Sequence, residues 1–414
     1  MSYNIKQLAV ALFFGGLWCT GIAIVKFESY GLQISELGVA TWLAAWLFTR
    51  SGRINSARLA IWIIWLLFIA STYAIAERPH DLRTVAYTAI VIFGSISIAA
   101  SCKEDSKLGQ IGYAWFRRVG LLSATFACLQ MVTRYPQSLD VRSNPTFPIG
   151  PQSGRSFGFQ DEASLLAICL IGLLLAEVSL LSSRRTKADS TVRPLHPLWL
   201  IVVLGALLAT ASSSVTTVLP IAAAIIGWKF RHKMLKLKPL LALMTFAFFT
   251  LAAAIGPAAD RLNSGSSTGS ARIRLAGQLG AIEGLIQHPG GFGLGRNDRI
   301  GAWASSVAES QGWTLFRVPA GVDSLLIGQV FELGVVFGVF LFALAARSMA
   351  RLAAYGRHEF ASDPFLALAV ASLAGAVAAV GYRAFLFGWL WVGLAVQGTH
   401  TEKSPEVPLQ KARP

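Results

Sequence analysis

Charged residues are scarce in this chain of 414 residues. They make up 14% of the sequence, whereas hydrophobic residues make up 54%. A soluble domain usually carries about 25% charged residues, so this composition leaves too little charge to cover a large soluble surface. It excludes a disordered chain, a collagen-like chain and an ordinary soluble enzyme. Together with a mean hydropathy of +0.56, it predicts an integral membrane protein.

Cysteine is equally sparse, and the cysteines are not arranged for chemistry. The four of them, Cys19, Cys102, Cys128 and Cys169, form no Cys-x-x-Cys pair, which excludes a recognisable disulfide framework or zinc site. An Asp-x-Asp motif and a His/Cys cluster are also lacking, so we expect neither a metal nor a cofactor. The net charge of +15 does not indicate nucleic acid, because the basic residues lie between apolar runs and not on a basic module.

The apolar residues fall into twelve runs, several of which must extend into their flanks to reach the roughly 20 residues of a spanning helix. The first run lacks a clear small-residue cleavage site, which favours a helix over a signal peptide. The seventh and eighth runs could also be one broken helix, but both flanking loops are basic, which favours two. The runs lie near 8–25, 37–49, 59–76, 84–101, 119–133, 162–182, 198–213, 215–228, 239–256, 326–345, 364–381 and 384–396.

The distribution of basic residues sets the orientation of these runs. With the N-terminus inside, 23 of the 36 basic residues lie in inner segments and 13 in outer ones, a bias that predicts both termini in the cytoplasm. The fold class is therefore an all-α integral membrane protein of about twelve helices. Helices 1–9 lie in 1–256, a large external loop in 257–325, helices 10–12 in 326–396 and a cytoplasmic tail in 397–414. A second, shorter external segment covers 134–161.

The large external loop is predicted to contain an amphipathic helix. Residues 257–270 are small and polar, as expected of a mobile entry, and the helix follows over Ala271–His288. Arg272 and Arg274 then lie in its first turns, where a cation opposes the helix dipole unless an anionic ligand compensates. The alternative, a helix lying on lipid headgroups with its arginines at the phosphates, stays open. The apolar stripe is formed by Leu275, Leu279, Ile282 and Ile286.

A glycine-rich turn ends this helix. It runs from His288 and Pro289, which stops the helix, through Gly291 and Gly293 to Arg296. Glycine allows positive φ and bare backbone N–H groups, so this turn could hold phosphate oxygens with the help of the Arg296 guanidinium. It follows a helix and not a strand, so it is not a dinucleotide-binding fingerprint.

Two carboxylates mark the point where the loop re-enters the apolar region. Asp323 could act as a general base for a hydroxyl nucleophile, although an Asp before an apolar helix is also a common N-cap. Glu332 lies within the tenth run, and a carboxylate in the membrane indicates a functional site by default. Glu177 is similar, but it is near a basic inner loop where it could simply snorkel or pair.

This arrangement resembles the O-antigen ligase and polymerase family of bacterial membrane glycosyltransferases. The resemblance rests on Arg274, fifteen residues before Pro289, on Gly291 and Gly293, and on the Glu332-Leu-Gly sequence. A second motif before the sixth helix also matches. It contains Arg155, Glu162 and their neighbours, in Gly154-Arg-Ser-Phe-Gly-Phe159 and Asp161-Glu-Ala-Ser164.

The departures from the family pattern favour one branch of it. Val322-Asp323 stands where the ligases generally have His-Asn, and no arginine follows the serines at 212–214. Both features favour a polymerase of O-antigen, exopolysaccharide or a related glycan. A ligase that transfers the glycan to another acceptor is the alternative within the family. A transporter or flippase of lipid-linked glycan is the alternative outside it.

The resemblance also implies substrates and roles. The donor would be a glycan on undecaprenyl pyrophosphate, at the periplasmic face of a bacterial inner membrane. Membrane lipid would be a partner, and a chain-length regulator would suit a polymerase. Arg272, Arg274 and Arg296, with Gly291 and Gly293, would bind the pyrophosphate, whose charge grows in the transition state. Asp323 would orient or deprotonate the acceptor hydroxyl. Further candidates are Arg155, Glu162 and Glu332.

Overall fold

The protein is mostly helical. Helices make up 81% of the described residues in the computed structural model, and strands make up 2%, which confirms the predicted helical class. The residues that the structure describes are 2–26, 31–48, 82–134, 136–142, 155–160, 162–184, 193–210, 212, 215, 218–219, 221–222, 266–293, 299–315, 322, 324–355, 363–378 and 386–396.

The described segments contain eleven α-helices. In chain order they are α1 (Ser2–Gly16), α2 (Ile34–Leu47), α3 (Leu82–Glu104), α4 (Ser106–Val132), α5 (Ala163–Arg184), α6 (Pro197–Thr210), α7 (Ser266–Gln287), α8 (Ile300–Ser310), α9 (Leu325–Ala354), α10 (Pro364–Ala378) and α11 (Leu390–Val396). Two 3-10 turns, Gln137–Leu139 and Leu386–Trp389, and an antiparallel pair of strands, β1 (Ala23–Lys26) and β2 (Gly31–Gln33), complete the described elements.

Among the described helices, two are long and apolar enough to cross a membrane. They are α5, over Ala163–Leu181, and α9, over Leu325–Ala354. Shorter apolar helices occupy Ile34–Leu47, Pro197–Thr210 and Pro364–Val377. The predicted runs near 59–76 and 239–256 lie outside the described residues, as does most of the run near 215–228.

The first predicted run is wrong at both ends. The helix spans Ser2–Gly16 and not 8–25, and the chain then enters the small β-hairpin. A Cβ atom on Gly16 would lie 2.2 Å from the backbone nitrogen of Ser35. The absence of a side chain therefore lets the start of α2 lie directly against the end of α1. Hydropathy cannot register this contact, because the residues on both sides of Gly16 are apolar.

The centre of the helical bundle is formed by α5 and α10. They pack against each other, and α10 also contacts α4, α9 and α11. Nearly every described side chain of α10 is buried, and the same holds for most of α5. The outer layer differs, because α9 has bulky apolar side chains on its exposed face, such as Val336, Val339 and Phe340. Large exposed apolar side chains of this kind are typical of a surface in contact with lipid.

Ion pairs join distant segments that the charge pattern places on the inner side. The Lys103 ammonium lies 2.5 Å from an Asp363 carboxylate oxygen and 4.6 Å from the ring centroid of Tyr355. Asp363 also accepts a hydrogen bond from the N–H of Phe365 at 3.0 Å and so begins α10. One end of α3 is thereby tied to the end of α9 and the start of α10.

The buried carboxylate of Glu177 is paired in the same way. It accepts hydrogen bonds from the Tyr113 hydroxyl at 2.6 Å and from the N–H of Leu195 at 2.7 Å. The Arg117 guanidinium lies 3.6 Å from it and donates to the Arg193 carbonyl at 2.6 Å. Of the two alternatives that Glu177 snorkels or pairs, pairing is confirmed, and these contacts tie residues 193–195 to α4 and α5.

Candidate functional site

The glycine-rich turn of the external loop docks on a break in α9. Gly334 has φ 84° and ψ 174°, which are not helical angles, and it interrupts the helix two residues after Glu332. A break of this kind leaves carbonyl and N–H groups without partners in the helix. The turn supplies those partners. The N–H of Phe292 donates to the Phe331 carbonyl at 3.1 Å, that of Gly293 to the Glu332 carbonyl at 2.8 Å, and that of Val335 to the Pro289 carbonyl at 2.9 Å.

We call this set of three hydrogen bonds the turn–break junction, and it requires glycine on both sides. Gly291 has φ 83°, and a Cβ on it would lie 2.4 Å from the Gly334 nitrogen. A Cβ on Gly334 would lie 2.6 Å from the carbonyl carbon of Gly290. The two backbones are therefore in direct contact, closer than any pair of side-chain-bearing residues could come.

This contact corrects the role predicted for the turn. We expected its backbone N–H groups to hold phosphate oxygens. The N–H of Gly291 instead donates to the His288 carbonyl at 2.9 Å, and those of Phe292 and Gly293 donate to α9. Gly291 and Gly293 thus serve the contact between two backbones and do not offer their N–H groups to a ligand. Arg296 and the rest of 294–298 lie outside the described residues.

A small hydrophobic cluster stabilises the junction. The ring of Phe292 stacks on that of Phe331 with centroids 4.4 Å apart, and the His288 ring meets Phe292 edge-on at 4.8 Å. The cluster is separate from the main core of the bundle and also contains Ala281, Leu285, Ile300, Val322 and Val330. His288 is thus an aromatic packing residue of the turn, as its place in the His-Pro helix stop suggests.

The two loop helices hold the arginines in place. The structure begins α7 at Ser266, so the prediction that 257–270 is a mobile entry is wrong for its last five residues. Arg272 and Arg274 then lie in the second and third turns of the helix. The expected conflict with the helix dipole disappears there, because that effect fades within the first turn. The helix α8, which packs on α7, was not predicted.

The two arginines differ in their surroundings. Two residues correspond to about 200° of helical rotation, so their side chains leave α7 in nearly opposite directions. Arg272 is exposed, whereas Arg274 is partly buried and its Nε atom is enclosed by protein. The two arginines therefore cannot bind one small anion together from the same face of α7. Of the two, Arg274 is held by its surroundings and is the better-positioned group.

The N-terminus of α9 is capped by Ser324, the residue after the Asp323 considered from the sequence. The Ser324 side chain accepts a hydrogen bond from the N–H of Ile327 at 3.4 Å and occupies the N-cap position. The N-cap position thus belongs to Ser324, and Asp323, the residue considered for it from the sequence, lies outside the described residues. Glu332 is buried, and the Gln329 amide lies 3.5 Å from its carboxylate.

Arg155 belongs to a second cluster, formed by residues 155–160 and the ends of α1, α4 and α6. The side-chain amide oxygen Oε1 of Gln130 accepts hydrogen bonds from the N–H groups of Phe157 and Gly158, both at 3.1 Å. The N–H of Ser156 donates to the Ala209 carbonyl at 2.7 Å. Arg155 is partly buried at the edge of this cluster. The segments involved are all predicted to lie on the outer side.

Glu162 lies just beyond this cluster and is exposed. It accepts from the Ser164 hydroxyl at 3.0 Å, and its carbonyl accepts from the N–H groups of Leu165 and Leu166 at the start of α5. A carboxylate at a helix N-terminus is favourable for the helix itself. These contacts give Glu162 a place in starting α5.

The second cluster contains a buried ion pair that the sequence analysis did not identify. The guanidinium of Arg142 donates to both carboxylate oxygens of Asp140, each at 2.8 Å, and lies 3.9 Å from the centroid of the Phe157 ring. The Asp-x-Arg spacing was visible in the sequence, but nothing there indicated burial. Within the described ranges, no group of three or more His, Cys, Asp and Glu side chains is arranged to hold a metal ion.

Comparison with known proteins does not place the chain in a family. No protein-family model matches the sequence, and no curated protein matches it.

Proposed function

We propose that this protein is a multi-pass membrane glycosyltransferase that polymerises lipid-linked oligosaccharides. In the proposed architecture, about twelve helices carry an external catalytic loop at the outer face of a bacterial inner membrane. The observation that carries the proposal is the turn–break junction. It holds the C-terminal end of α7 against the part of α9 that contains Glu332, where Gly284 lies against the Phe331 ring. Arg274 lies ten residues before Gly284 on the same helix, and Asp323 precedes α9 in sequence.

The contacts described above join predicted inner segments to one another and predicted outer segments to one another, which supports the proposed architecture. Lys103 with Asp363, and Arg117 with Glu177, join segments that the positive-inside rule assigns to the cytoplasm. The cluster around Gln130 joins segments that it assigns to the outside. A chain with the wrong number of crossings between these segments would bring inner and outer residues together.

The proposed reaction joins two lipid-linked glycans. The hydroxyl oxygen of the acceptor sugar attacks the anomeric carbon of the donor glycan and forms the new glycosidic bond. The bond from that carbon to the pyrophosphate oxygen breaks, and undecaprenyl pyrophosphate leaves with the electron pair. Asp323 takes the hydroxyl proton. Arg274 faces the leaving pyrophosphate, and a fixed cation there lowers the barrier because negative charge grows on that group.

The positions of the buried carboxylates favour an enzyme over a transporter. A transporter of charged cargo is expected to have ionisable residues near the middle of the membrane. Within the described helices, Glu177 is paired with the inner loop, and Glu332 lies next to the external turn. Both are near the ends of the proposed spans.

Polymerisation in a defined system tests the proposal. The purified protein is placed in liposomes with an undecaprenyl-pyrophosphate oligosaccharide and no nucleotide sugar, and products are separated by length. We expect a ladder of longer lipid-linked glycans, reduced about a hundredfold or more in Arg274→Ala. Arg118→Ala, which removes an exposed arginine from the inner side, is the matched control and retains the ladder.

The remaining outcomes of this assay separate the alternatives. Transfer only to an added acceptor lipid would make the protein a ligase. The absence of any new glycosidic bond with every acceptor would refute the enzyme and leave the transporter. A ladder that survives in Arg274→Ala would refute the assignment of that residue while leaving the reaction in place.

A further inference from the structure

The helix α7 buries a row of small residues beside Ile273 and Leu285, whereas four of its large apolar residues are exposed. The buried face contains Ala276, Gly280 and Gly284, spaced four residues apart. A Cβ on Gly280 would lie 2.6 Å from the backbone nitrogen of Ala304, and one on Gly284 would lie 2.9 Å from the Phe331 ring. Small residues at this spacing let helix backbones approach closely, which is typical of helix contacts in membranes.

The opposite face of α7 is the apolar stripe identified in the sequence, and it lies outside the protein core. Leu275, Leu279 and Ile282 are between 37% and 49% exposed, and Ile286 is 77% exposed. The stripe was expected to be the single apolar face of the helix, but the helix packs on α8 and α9 through its other face. A helix in water would present polar side chains at these four positions.

Two arginines flank the stripe, and one acidic residue, Glu283, lies about 70° from its centre on the same side as Arg272. At about 100° per residue, Arg272 lies about 50° to one side of the stripe and Arg274 about 110° to the other side. Long basic side chains beside an apolar helix face can reach phosphates while the face itself contacts acyl chains. The Arg272 side chain is exposed, so its guanidinium can reach the level of the lipid phosphates.

The stripe also adjoins the exposed apolar face of α9. Ile286 is three residues before Pro289, whose carbonyl accepts from the N–H of Val335 at the turn–break junction. Val336, the next residue, is 87% exposed, and Val339 and Phe340 continue the same exposed face of α9. The stripe of α7 therefore ends where the proposed lipid-facing surface of α9 begins.

We infer that α7 lies in the outer surface of the phospholipid bilayer, with the stripe from Leu275 to Ile286 in contact with acyl chains. This inference rests on the membrane architecture proposed above and not on the chemistry. It places Arg272 and Arg274 at the depth of the lipid phosphates. The pyrophosphate of a lipid-linked donor lies at the same depth, so the loop would meet the donor in the plane of the membrane.

Site-specific quenching in liposomes of phosphatidylethanolamine and phosphatidylglycerol tests this position. Full-length single-cysteine variants, with the native cysteines replaced by alanine, carry a small fluorophore. The three sites are Ile282→Cys on the stripe, Ser306→Cys on the exposed face of α8, and Val339→Cys on α9. Quenchers are lipids with a spin label near the headgroup or deep in the acyl chain, and iodide in the water.

We expect the probe at 282 to be quenched by the spin-labelled lipids, more strongly by the shallow label than by the deep one. The probe at 339 should respond to spin-labelled lipid, and the probe at 306 to iodide. Quenching at 282 by iodide alone would overturn the inference, since the stripe would then face water. Protection at 282 from both quenchers would also overturn it, because another protein or a second copy would then cover the stripe. If the probe at 339 also responded only to iodide, the proposed membrane architecture itself would be refuted.

Discussion

Replacing Gly334 with alanine tests whether the break in α9 is built into the backbone. The angles at this position, φ 84° and ψ 174°, fall in a region that is essentially restricted to glycine, and a side chain there costs about 1–3 kcal/mol. The new Cβ would also lie 2.6 Å from the carbonyl carbon of Gly290 and 2.8 Å from the oxygen of Pro289. The turn must then retreat and weaken three hydrogen bonds, each worth about 1 kcal/mol.

Together these effects destabilise the junction by about 3–5 kcal/mol. Because 1.4 kcal/mol corresponds to a factor of ten, the open fraction of the junction should rise about a hundredfold or more. Hydrogen exchange of the protein in lipid nanodiscs, followed by mass spectrometry, measures this change. The peptides covering Phe292, Gly293 and Val335 should lose protection, whereas those from α5 should not change.

The same turn offers a matched control. Gly290 does not have a positive φ, and a Cβ on it meets nothing within 4 Å. Gly290→Ala should therefore change protection by less than a factor of about three, as expected of a surface substitution worth about 0.5 kcal/mol. Equal exchange in Gly334→Ala and Gly290→Ala would refute the argument that the turn and the break hold each other.

Three further substitutions test other contacts. Gln130→Leu leaves two buried N–H groups without their acceptor and should lower the free energy of unfolding by about 2–4 kcal/mol. Thermal unfolding in detergent measures this change, and an unchanged midpoint would contradict it. Tyr113→Phe removes the hydroxyl that donates to Glu177, with an expected cost of about 1.5–3 kcal/mol in the same assay. Asp363→Asn breaks the pair with Lys103, and we expect faster proteolysis at the inner end of α10 than in the parent protein.

Hydropathy predicted the helices well where burial and sequence pattern agree. The run near 162–182 became α5 and the run near 326–345 became part of α9, because long apolar segments can satisfy their backbone groups only within a helix. The helix at Ile34–Leu47 starts three residues before its predicted run because the Gln33 N–H donates to the Glu36 carboxylate, a capping contact between polar residues.

The face of α7 that packs against the protein could not be predicted in the same way. The sequence shows bulky residues on one side and glycines on the other, and the usual rule for soluble helices buries the bulky side. Here Gly280 and Gly284 make the close contacts. In lipid the rule inverts, because the bulky side gains nothing by leaving an apolar solvent while small residues gain contact area.

The candidate site was predicted in part, as a set of residues in one loop. The sequence identified Gly291 and Gly334 as elements of two motifs, but it did not show that these motifs bind each other. A hydrogen bond between backbone groups leaves no side-chain signature. The only sign of the contact was a glycine in each motif, and of these two glycines only Gly291 was expected to have a role, in phosphate binding.

The central place of α10 has a consequence for how the chain is made. This helix leaves the ribosome after α1 to α9, yet its buried side chains contact α4, α5 and α9. Domains generally fold from the N-terminus as they are synthesised. The earlier helices therefore cannot complete their packing at the centre of the bundle until α10 has been synthesised. A nascent chain that stops before Pro364 would lack a helix from the centre of the bundle and not one from its periphery. Such truncated chains should therefore be targets for protein quality control even when every earlier helix has formed.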